Sequence, residues 1–256
     1  MTTTATAPRV ALVTGASRGI GAAIASAFAA TGAHAVLAAR DREALEHVAD
    51  DIRAAGGTAD THPLDVTDDQ AVHTLIAQIE RRHGRLDAAV NNAGGSRRRP
   101  GPLQHWSEAE FTAAVAANLT GTFLCLKHEL ALMASTGGGA IVNMSSTAAQ
   151  HPVAGLAGYA AAKSGVEALT RVAALDNAAN GIRVNAIAPG AVLTEQLAAA
   201  GPTAQAATIA TVPLGRLATP ADIAAAALWL CSPDSSYISG TTLIIDGART
   251  AGTRPG

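Results

Sequence analysis

The chain has 256 residues and a formal net charge of −2, so it carries no field that would draw nucleic acid or an anionic membrane. Hydrophobic residues make up 48% and charged residues 15%, a balance that suits strands buried on both faces, as in a parallel sheet. Its two Cys, Cys125 and Cys231, stand far apart in apolar surroundings without C-x-x-C spacing, which argues against a disulfide or metal pair and for a reducing cytosol.

In chain order, 1–8 is rich in Thr and Ala and lacks the basic start and apolar core of a signal peptide. Runs rich in Val, Leu and Ile then alternate with helical segments, the βαβ pattern of a parallel sheet. Strands are predicted over 10–14, 34–39, 58–64, 86–91, 140–144, 182–187 and 242–245, and helices over 19–30, 42–55, 68–82, 107–133, 158–179 and 220–230. Asp68 and Ser107 read as N-caps, and Gly56 and Gly84 stand where helices should stop. The apolar run 223–231 is far short of the ~20 residues that span a bilayer, so a soluble, cytoplasmic protein is expected. No repeat, linker or composition shift divides the chain. The expectation is one α/β domain over 1–256, a doubly wound, seven-stranded parallel sheet flanked by helices, with flexible ends at 1–8 and 249–256.

The first strand runs into Thr14-Gly15-Ala16-Ser17-Arg18-Gly19-Ile20-Gly21 and then into a helix. Glycines there let the backbone turn tightly and approach a pyrophosphate, while the helix start offers free N–H groups and a positive dipole end. The same residues satisfy G-x-S-x-G, the elbow of a hydrolase with Ser17 as nucleophile. Position argues against that reading, because such an elbow needs several strands and an oxyanion loop before it, and only nine residues precede the first strand. His128-Glu129 fails as a zinc motif, since Leu132 stands where H-E-x-x-H needs its second His; the other His are scattered and no metal site is expected. Asp65-Val66 and Asn91-Asn92-Ala93-Gly94 fall at the carboxyl ends of the third and fourth strands, the edge where open α/β sheets bind ligands. Asn118, a mediocre helix former inside the long helix, fits a polar task for its side chain.

The reaction centre is read at 146–163. Tyr159 precedes Lys163 by four residues in a helical stretch, a step that returns to the same face. The chain has only two Tyr and, of its 18 Lys and Arg, only Lys127 and Lys163 are Lys. A cation at ~4 Å, at an effective dielectric near 20, is worth up to roughly 4 kcal/mol, about three pKa units, enough to bring a phenol from about 10 toward the working pH. Ser146 then supplies a hydroxyl for the oxygen being protonated.

With Thr14 to Gly21, Asn91 to Gly94, Asn118, Ser146, Tyr159 and Lys163 in this order, followed by Pro189-Gly190, Thr194 and Asp246-Gly247, the chain resembles the short-chain dehydrogenase/reductase family over 10–247. Ketone and 3-oxoacyl reductases are most resembled. One departure is Ala248, where a second Gly is more usual. The resemblance implies a Rossmann domain and NADPH or NADH as cofactor. It implies Tyr159 as proton donor, Lys163 lowering its pKa and holding the ribose, Ser146 orienting the carbonyl, and Asn118 holding a water that links Lys163 to solvent. Cofactor contacts would come from Gly15, Ser17, Arg18, Gly19, Ile20, Gly21, Arg40, Asp65, Val66, Asn92, Ala93, Gly94, Tyr159, Lys163, Pro189, Gly190, Val192 and Thr194, with Ile187 beside Thr194 at the carboxamide.

Cofactor choice is read at Ala38-Ala39-Arg40-Asp41. The acid that NAD enzymes of the family use falls at Ala39, whereas Arg40 and Arg18 can clasp a 2′-phosphate and Asp41 reads as an N-cap, so NADPH is expected. The pocket walls, 147–156 and the loop 193–213, are mostly small and apolar, which suits an uncharged or partly apolar carbonyl compound; His151 either touches substrate or caps the wall, and Arg97-Arg98-Arg99 either meets an anionic carrier or is solvated. The alternatives are an NAD-dependent alcohol or sugar dehydrogenase, a Ser17 hydrolase and a non-catalytic dinucleotide sensor. Family analogy adds a homotetramer joined through 107–133 and 158–179.

Overall fold

Residues 8–95 and 100–252 are described by the computed structural model, so Arg97-Arg98-Arg99 lies outside the described residues. Seven parallel strands form one sheet in the order β3-β2-β1-β4-β5-β6-β7: β1 (Val10–Thr14), β2 (His34–Ala39), β3 (Thr58–Pro63), β4 (Ala88–Asn91), β5 (Gly139–Met144), β6 (Ile182–Pro189) and β7 (Thr242–Ile245). Parallel strands need crossovers, and helices supply them on both faces. Helices α1 (Gly19–Ala30), α2 (Arg42–Ala54) and α9 (Pro220–Leu230) bury Ile24, Phe28, Leu45, Ile52, Ile223 and Leu230 against one face. On the other, α3 (Asp69–His83), α5 (Gly121–Thr136) and α6 (Ala157–Asn177) bury Leu75, Ile79, Leu132, Met133, Ala173 and Ala174. Central strands are covered on both sides, which is why they read as continuous apolar runs rather than alternating ones.

Helix starts follow local chemistry. Asp41 accepts from the Ala44 amide at 3.1 Å, Asp68 from the Ala71 amide at 3.0 Å, and Ser107 with Glu110 closes a reciprocal capping box. Asp41 is therefore an N-cap, as its place after Arg40 suggests. Strand β4 begins at Ala88 rather than 86, because Asp87 is occupied with Val10, taking its amide at 2.8 Å on a side-chain oxygen.

Two expectations fail in instructive ways. The long helix predicted over 107–133 is instead α4 (Glu108–Val115), a π turn (Ala116–Thr120) and α5, with Asn118 in the π turn. A polar side chain that bonds away from the helix gives the ladder a reason to slip by one residue. The stretch 193–213, read as a loop, carries α7 (Glu195–Ala199) and α8 (Gly201–Ile209). Pro202 falls in the first turn of α8, where its missing N–H costs nothing, and Ala204, Ala206 and Ala207 continue the helix. One continuous stretch, Glu108–Thr136, has the length and apolarity of a membrane span. Its buried Asn118, Thr122 and Glu129 are hydrogen-bonded, and its inner face packs on α3 and α6.

Candidate active site

The order of strands reverses between β1 and β4, and in open α/β sheets ligands bind at that carboxyl-edge crevice. Here the ends of the two strands are tied together. The Asn92 side chain donates to the carbonyls of Thr14 at 3.1 Å and Gly15 at 3.2 Å, while the Thr14 hydroxyl accepts from the amides of Asn92 and Ala93, both at 3.1 Å. Backbone approaches backbone so closely that side chains are barred. A Cβ on Gly15 would lie 2.9 Å from Ala93 Cα, and one on Gly21 would lie 2.2 Å from the Gly15 carbonyl oxygen. Gly19, at φ 54°, faces Thr194 across the crevice, whose Cγ2 would be 3.9 Å from an added Cβ.

The first turn of α1 has no side-chain cap: Arg18 stands at the N-cap with no capping bond, and no acid occupies the first turn. Its amides and the positive dipole end are thus left facing the crevice, which fits the pyrophosphate of a dinucleotide. Ser17 and Ile20 are partly exposed on the same loop, with Ile20 also packed on the core. Arg18 and Arg40 are both exposed, and neither has a salt bridge among the described residues. Asp65, after β3, accepts from the Thr67 amide and hydroxyl, which together with the Arg40 charge hold its carboxyl below the usual range. Val66 packs on Gly121, where an added Cβ would come within 2.6 Å of its Cγ2. On the far side, Pro189 ends β6, Gly190 bonds Ile245 at 2.9 Å, Val192 bridges Ala218, and Thr194 begins α7. Ile187, expected beside Thr194, is instead wholly buried in the sheet core, so its side chain does not reach the crevice.

Deeper in, β5 and α6 bring the second group together. Ser146 caps the 3-10 turn Thr147–Ala149, accepting from the Ala148 amide at 3.2 Å. Lys163 is buried and donates to the Met144 carbonyl at 2.7 Å, its Nζ 5.6 Å from the centroid of the Tyr159 ring. The four-residue helical step thus places phenol and ammonium in one space, as the spacing requires. The predicted pKa effect is corrected. Burial pushes the Tyr159 phenol up, with the nearby Ser146 hydroxyl opposing, and burial pushes the Lys163 ammonium down to about 8. Desolvation, which disfavours the charged form of each group, sets the direction of both shifts.

Asn118 is fully buried, and the π turn lets its side chain clamp the chain after β4. Its Nδ2 donates to the carbonyls of Gly95 at 3.1 Å and Ala114 at 3.0 Å, and its Oδ1 accepts the Gly95 amide at 2.8 Å. Gly94, at φ 149°, is pinched between the two halves of the site: an added Cβ would lie 2.6 Å from Asn118 Oδ1 and 3.6 Å from Lys163 Nζ. Sequence reasoning missed Thr14, Gly95 and Ser145, whose hydroxyl donates to Glu167 at 2.9 Å. Only the doubled Gly94-Gly95 carried a signal. The His residues are less scattered than the sequence suggests, since His34 and His83 gather around Asp60 at 2.9 and 3.7 Å. Arg82 also holds that carboxylate at 2.8 Å, making an ion-pair hub at the starts of β2 and β3, away from the crevice.

The family model for enoyl-(acyl carrier protein) reductase matches residues 15–249. The chain is 42% identical to cis-4-hydroxycyclohexanecarboxylate dehydrogenase of Sinomonas cyclohexanicum over 96% of its length and 98% of the relative's. It is 41% identical to an A-factor type gamma-butyrolactone 1'-reductase of Streptomyces virginiae over 94% of its length and 95% of the relative's. Among solved structures, levodione reductase superposes with a TM-score of 0.91 at 35% identity, covering 96% of this chain and 98% of that one. The crevice, the paired Tyr and Lys and this likeness over almost the whole length agree: the chain belongs to the short-chain dehydrogenase/reductase family, NAD(P)-dependent oxidoreductases acting on alcohols or carbonyls.

Proposed function

We propose that the chain is an NADPH-dependent carbonyl reductase with Tyr159 as proton donor. The observation that carries this reading is the pairing of a half-buried Tyr159 with a buried Lys163 beside Ser146 at the carboxyl edge of the sheet. When bound, the cofactor supplies the hydride. Tyr159 gives its proton to the substrate oxygen, and burial, by raising its pKa, keeps that proton on the phenol until the oxygen takes it. The Ser146 hydroxyl orients the same oxygen. Lys163 provides the charge that offsets a phenolate once the proton has left, and Asn118 holds Gly94 and Gly95 so that the floor under Lys163 stays fixed. One Oδ1 lone pair of Asn118 remains after its bond to Gly95, available to a water serving Lys163.

The cofactor would be held by the Gly15 to Gly21 loop, by Asn92, Ala93 and Gly94, by Asp65 and Val66 at the base, and by Pro189, Gly190, Val192 and Thr194 at the nicotinamide end. NADPH is preferred because Arg18 and Arg40 are exposed guanidiniums without salt bridges among the described residues, and Asp41 is spent as a cap. Relatives named for cyclic hydroxy acids and lactones support a small alicyclic ketone or secondary alcohol as substrate. Phe111 and Phe123 on α4 and α5, and Val172 and Leu175 on α6, are exposed apolar residues that support a homotetramer built through these helices. The buried thiols Cys125 and Cys231 support work in a reducing cytoplasm. A panel of cyclic and acyclic ketones with NADPH and with NADH, followed at the nicotinamide absorbance band, tests the reading; reduction with NADPH is expected, and no turnover of any ketone with either cofactor rejects it.

A further inference from the structure

After the carboxyl ends of β5 and β7 lies a cavity of ≈450 Å³ whose wall includes Thr147, His151, Pro152, Val153, Arg249 and Thr250. Thr147 on its wall is the residue that follows Ser146 in the chain, which links the cavity to the segment whose hydroxyl would orient the carbonyl. Its volume falls in the range of small-molecule sites, about 300–1,000 Å³. Arg249 and His151 bring nitrogen hydrogen-bond donors to its wall, and no Asp or Glu lines it among the described residues. Nor does any described acid form a salt bridge with Arg249.

The backbone that presents Arg249 is built with care. Asp246 Oδ2 accepts from the Thr250 amide at 2.8 Å and the Thr250 hydroxyl at 2.6 Å, while the Arg249 amide donates to the Asp246 carbonyl at 3.3 Å. Gly247 accepts the Leu214 amide at 3.2 Å, tying the turn to the segment after α8. Between them Ala248 sits at φ 69°, the one non-Gly residue with positive φ among the described residues. A left-handed Ala costs about 1–2 kcal/mol, and such strain persists only where the surroundings over-determine it. Here the surroundings are a turn whose next side chain, Arg249, stands on the wall of the cavity that Thr147 also lines.

We propose that this cavity is a carboxylate subsite, and that the substrate is a carbonyl compound or secondary alcohol carrying a carboxylate. The guanidinium of Arg249 matches a planar carboxylate with two parallel N–H donors, His151 adds a third donor, and Pro152 with Val153 flanks the carbon skeleton. The proposal departs from the expectation of an uncharged or partly apolar carbonyl compound: the walls at 147–156 are mostly small and apolar, and the charge comes from Arg249, about a hundred residues away in sequence and beyond the last strand. The proposal rests on the assignment of Ser146 and Tyr159 as the place of the carbonyl.

The test compares 6-oxoheptanoate with its methyl ester, the same chain with and without the charge, as substrates with NADPH. The acid should show at least tenfold higher kcat/KM, through KM, in the wild-type enzyme. Arg249→Ala should collapse that ratio toward one, and Arg249→Lys should restore part of it. A ratio near one in the wild type, or an Arg249→Ala variant that slows both substrates alike and keeps the ratio, overturns the subsite and leaves the Tyr159 reading standing. A second measurement does not depend on turnover: calorimetric titration of NADP-saturated enzyme with hexanoate and with hexanamide. Binding of hexanoate that is at least tenfold tighter than that of hexanamide, and weakened in Arg249→Ala, supports the subsite even if neither ketone is reduced. Equal or absent binding of the two overturns it.

Discussion

Gly21→Ala puts the cofactor cradle under direct strain. The added methyl would lie 2.2 Å from the Gly15 carbonyl oxygen, 2.8 Å from its carbon and 2.6 Å from Asn92 Nδ2. Ordinary contact begins near 3.5 Å, so the loop or the first turn of α1 must move by roughly 1.3 Å. Two of the three obstacles are backbone, and Asn92 is itself bonded to the Thr14 and Gly15 carbonyls, so no side chain can simply swing aside. Overpacking of this kind costs about 1–3 kcal/mol, and the better helix propensity of Ala returns up to ~1 kcal/mol. A net loss of about 1–2 kcal/mol lowers Tm by roughly 2–8 °C in a domain of this size. Displacing the amides that face the pyrophosphate removes one or two charge-assisted bonds at about 1.5–3 kcal/mol each, raising the NADPH Kd on the order of a hundredfold. Nicotinamide fluorescence titration and thermal melts read the two effects separately. Gly32→Ala is the control, since Gly32 has positive φ but nothing within 4 Å of an added Cβ. It should lose stability by strain alone, about 1–2 kcal/mol, and bind NADPH normally. A Gly21→Ala enzyme whose Kd stays within threefold of wild type would refute the assignment of this loop.

Three further outcomes follow from other parts of the molecule. Arg40→Ala should raise KM for NADPH ten- to a hundredfold, the loss of one charge-assisted bond, with little change for NADH; wild-type kcat/KM for NADH equal to or above that for NADPH would overturn the preference. Glu129 is wholly buried, its Oε1 and the Oδ1 of Asn91 lack partners, and its folded pKa is raised to about 7 by burial. The unfolded carboxyl loses its proton near 4.5 and the folded one near 7, so stability should fall as pH rises through that window, by up to roughly 3 kcal/mol. Glu129→Gln should flatten the decline in Tm and be the more stable protein at pH 8; a wild-type Tm that rises from pH 5 to pH 7 in step with the variant's contradicts this. Sedimentation at micromolar concentration should give a species about four times the 25.5 kDa chain, and a lone 25.5 kDa species rejects the tetramer.

Much of the fold was legible because a buried parallel sheet writes its strands as apolar runs, and because the Gly15 to Gly21 loop falls between the first of them and a helix. The Tyr159 and Lys163 pairing was legible too, since a four-residue step has only one meaning on a helix. What escaped depends on contacts between segments far apart in the chain. The π turn at Asn118 answers to Gly95, twenty-three positions earlier, and nothing in the local sequence of the helix announces it. The helices Glu195–Ala199 and Gly201–Ile209 escaped because each is short and neither start carries a side-chain cap. The direction of the Tyr159 shift could not be read from spacing, because spacing gives the charge's proximity and leaves out desolvation. Arg249 was unremarked for the same reason as Gly95: it follows β7, whereas Thr147 and His151, which line the same cavity, follow β5 about a hundred positions earlier.

The central claim is that Tyr159 donates the proton, and Tyr159→Phe tests it most directly because it removes one oxygen while keeping the ring that packs beside Lys163. Single-turnover reduction of a ketone that the wild-type enzyme accepts, followed at the nicotinamide band, should slow by about 10²–10⁴-fold, the usual contribution of a general acid. The NADPH Kd should stay within threefold, since the phenol oxygen contributes little of the cofactor's surface. A variant that keeps a tenth or more of the wild-type rate with that Kd unchanged would contradict the account.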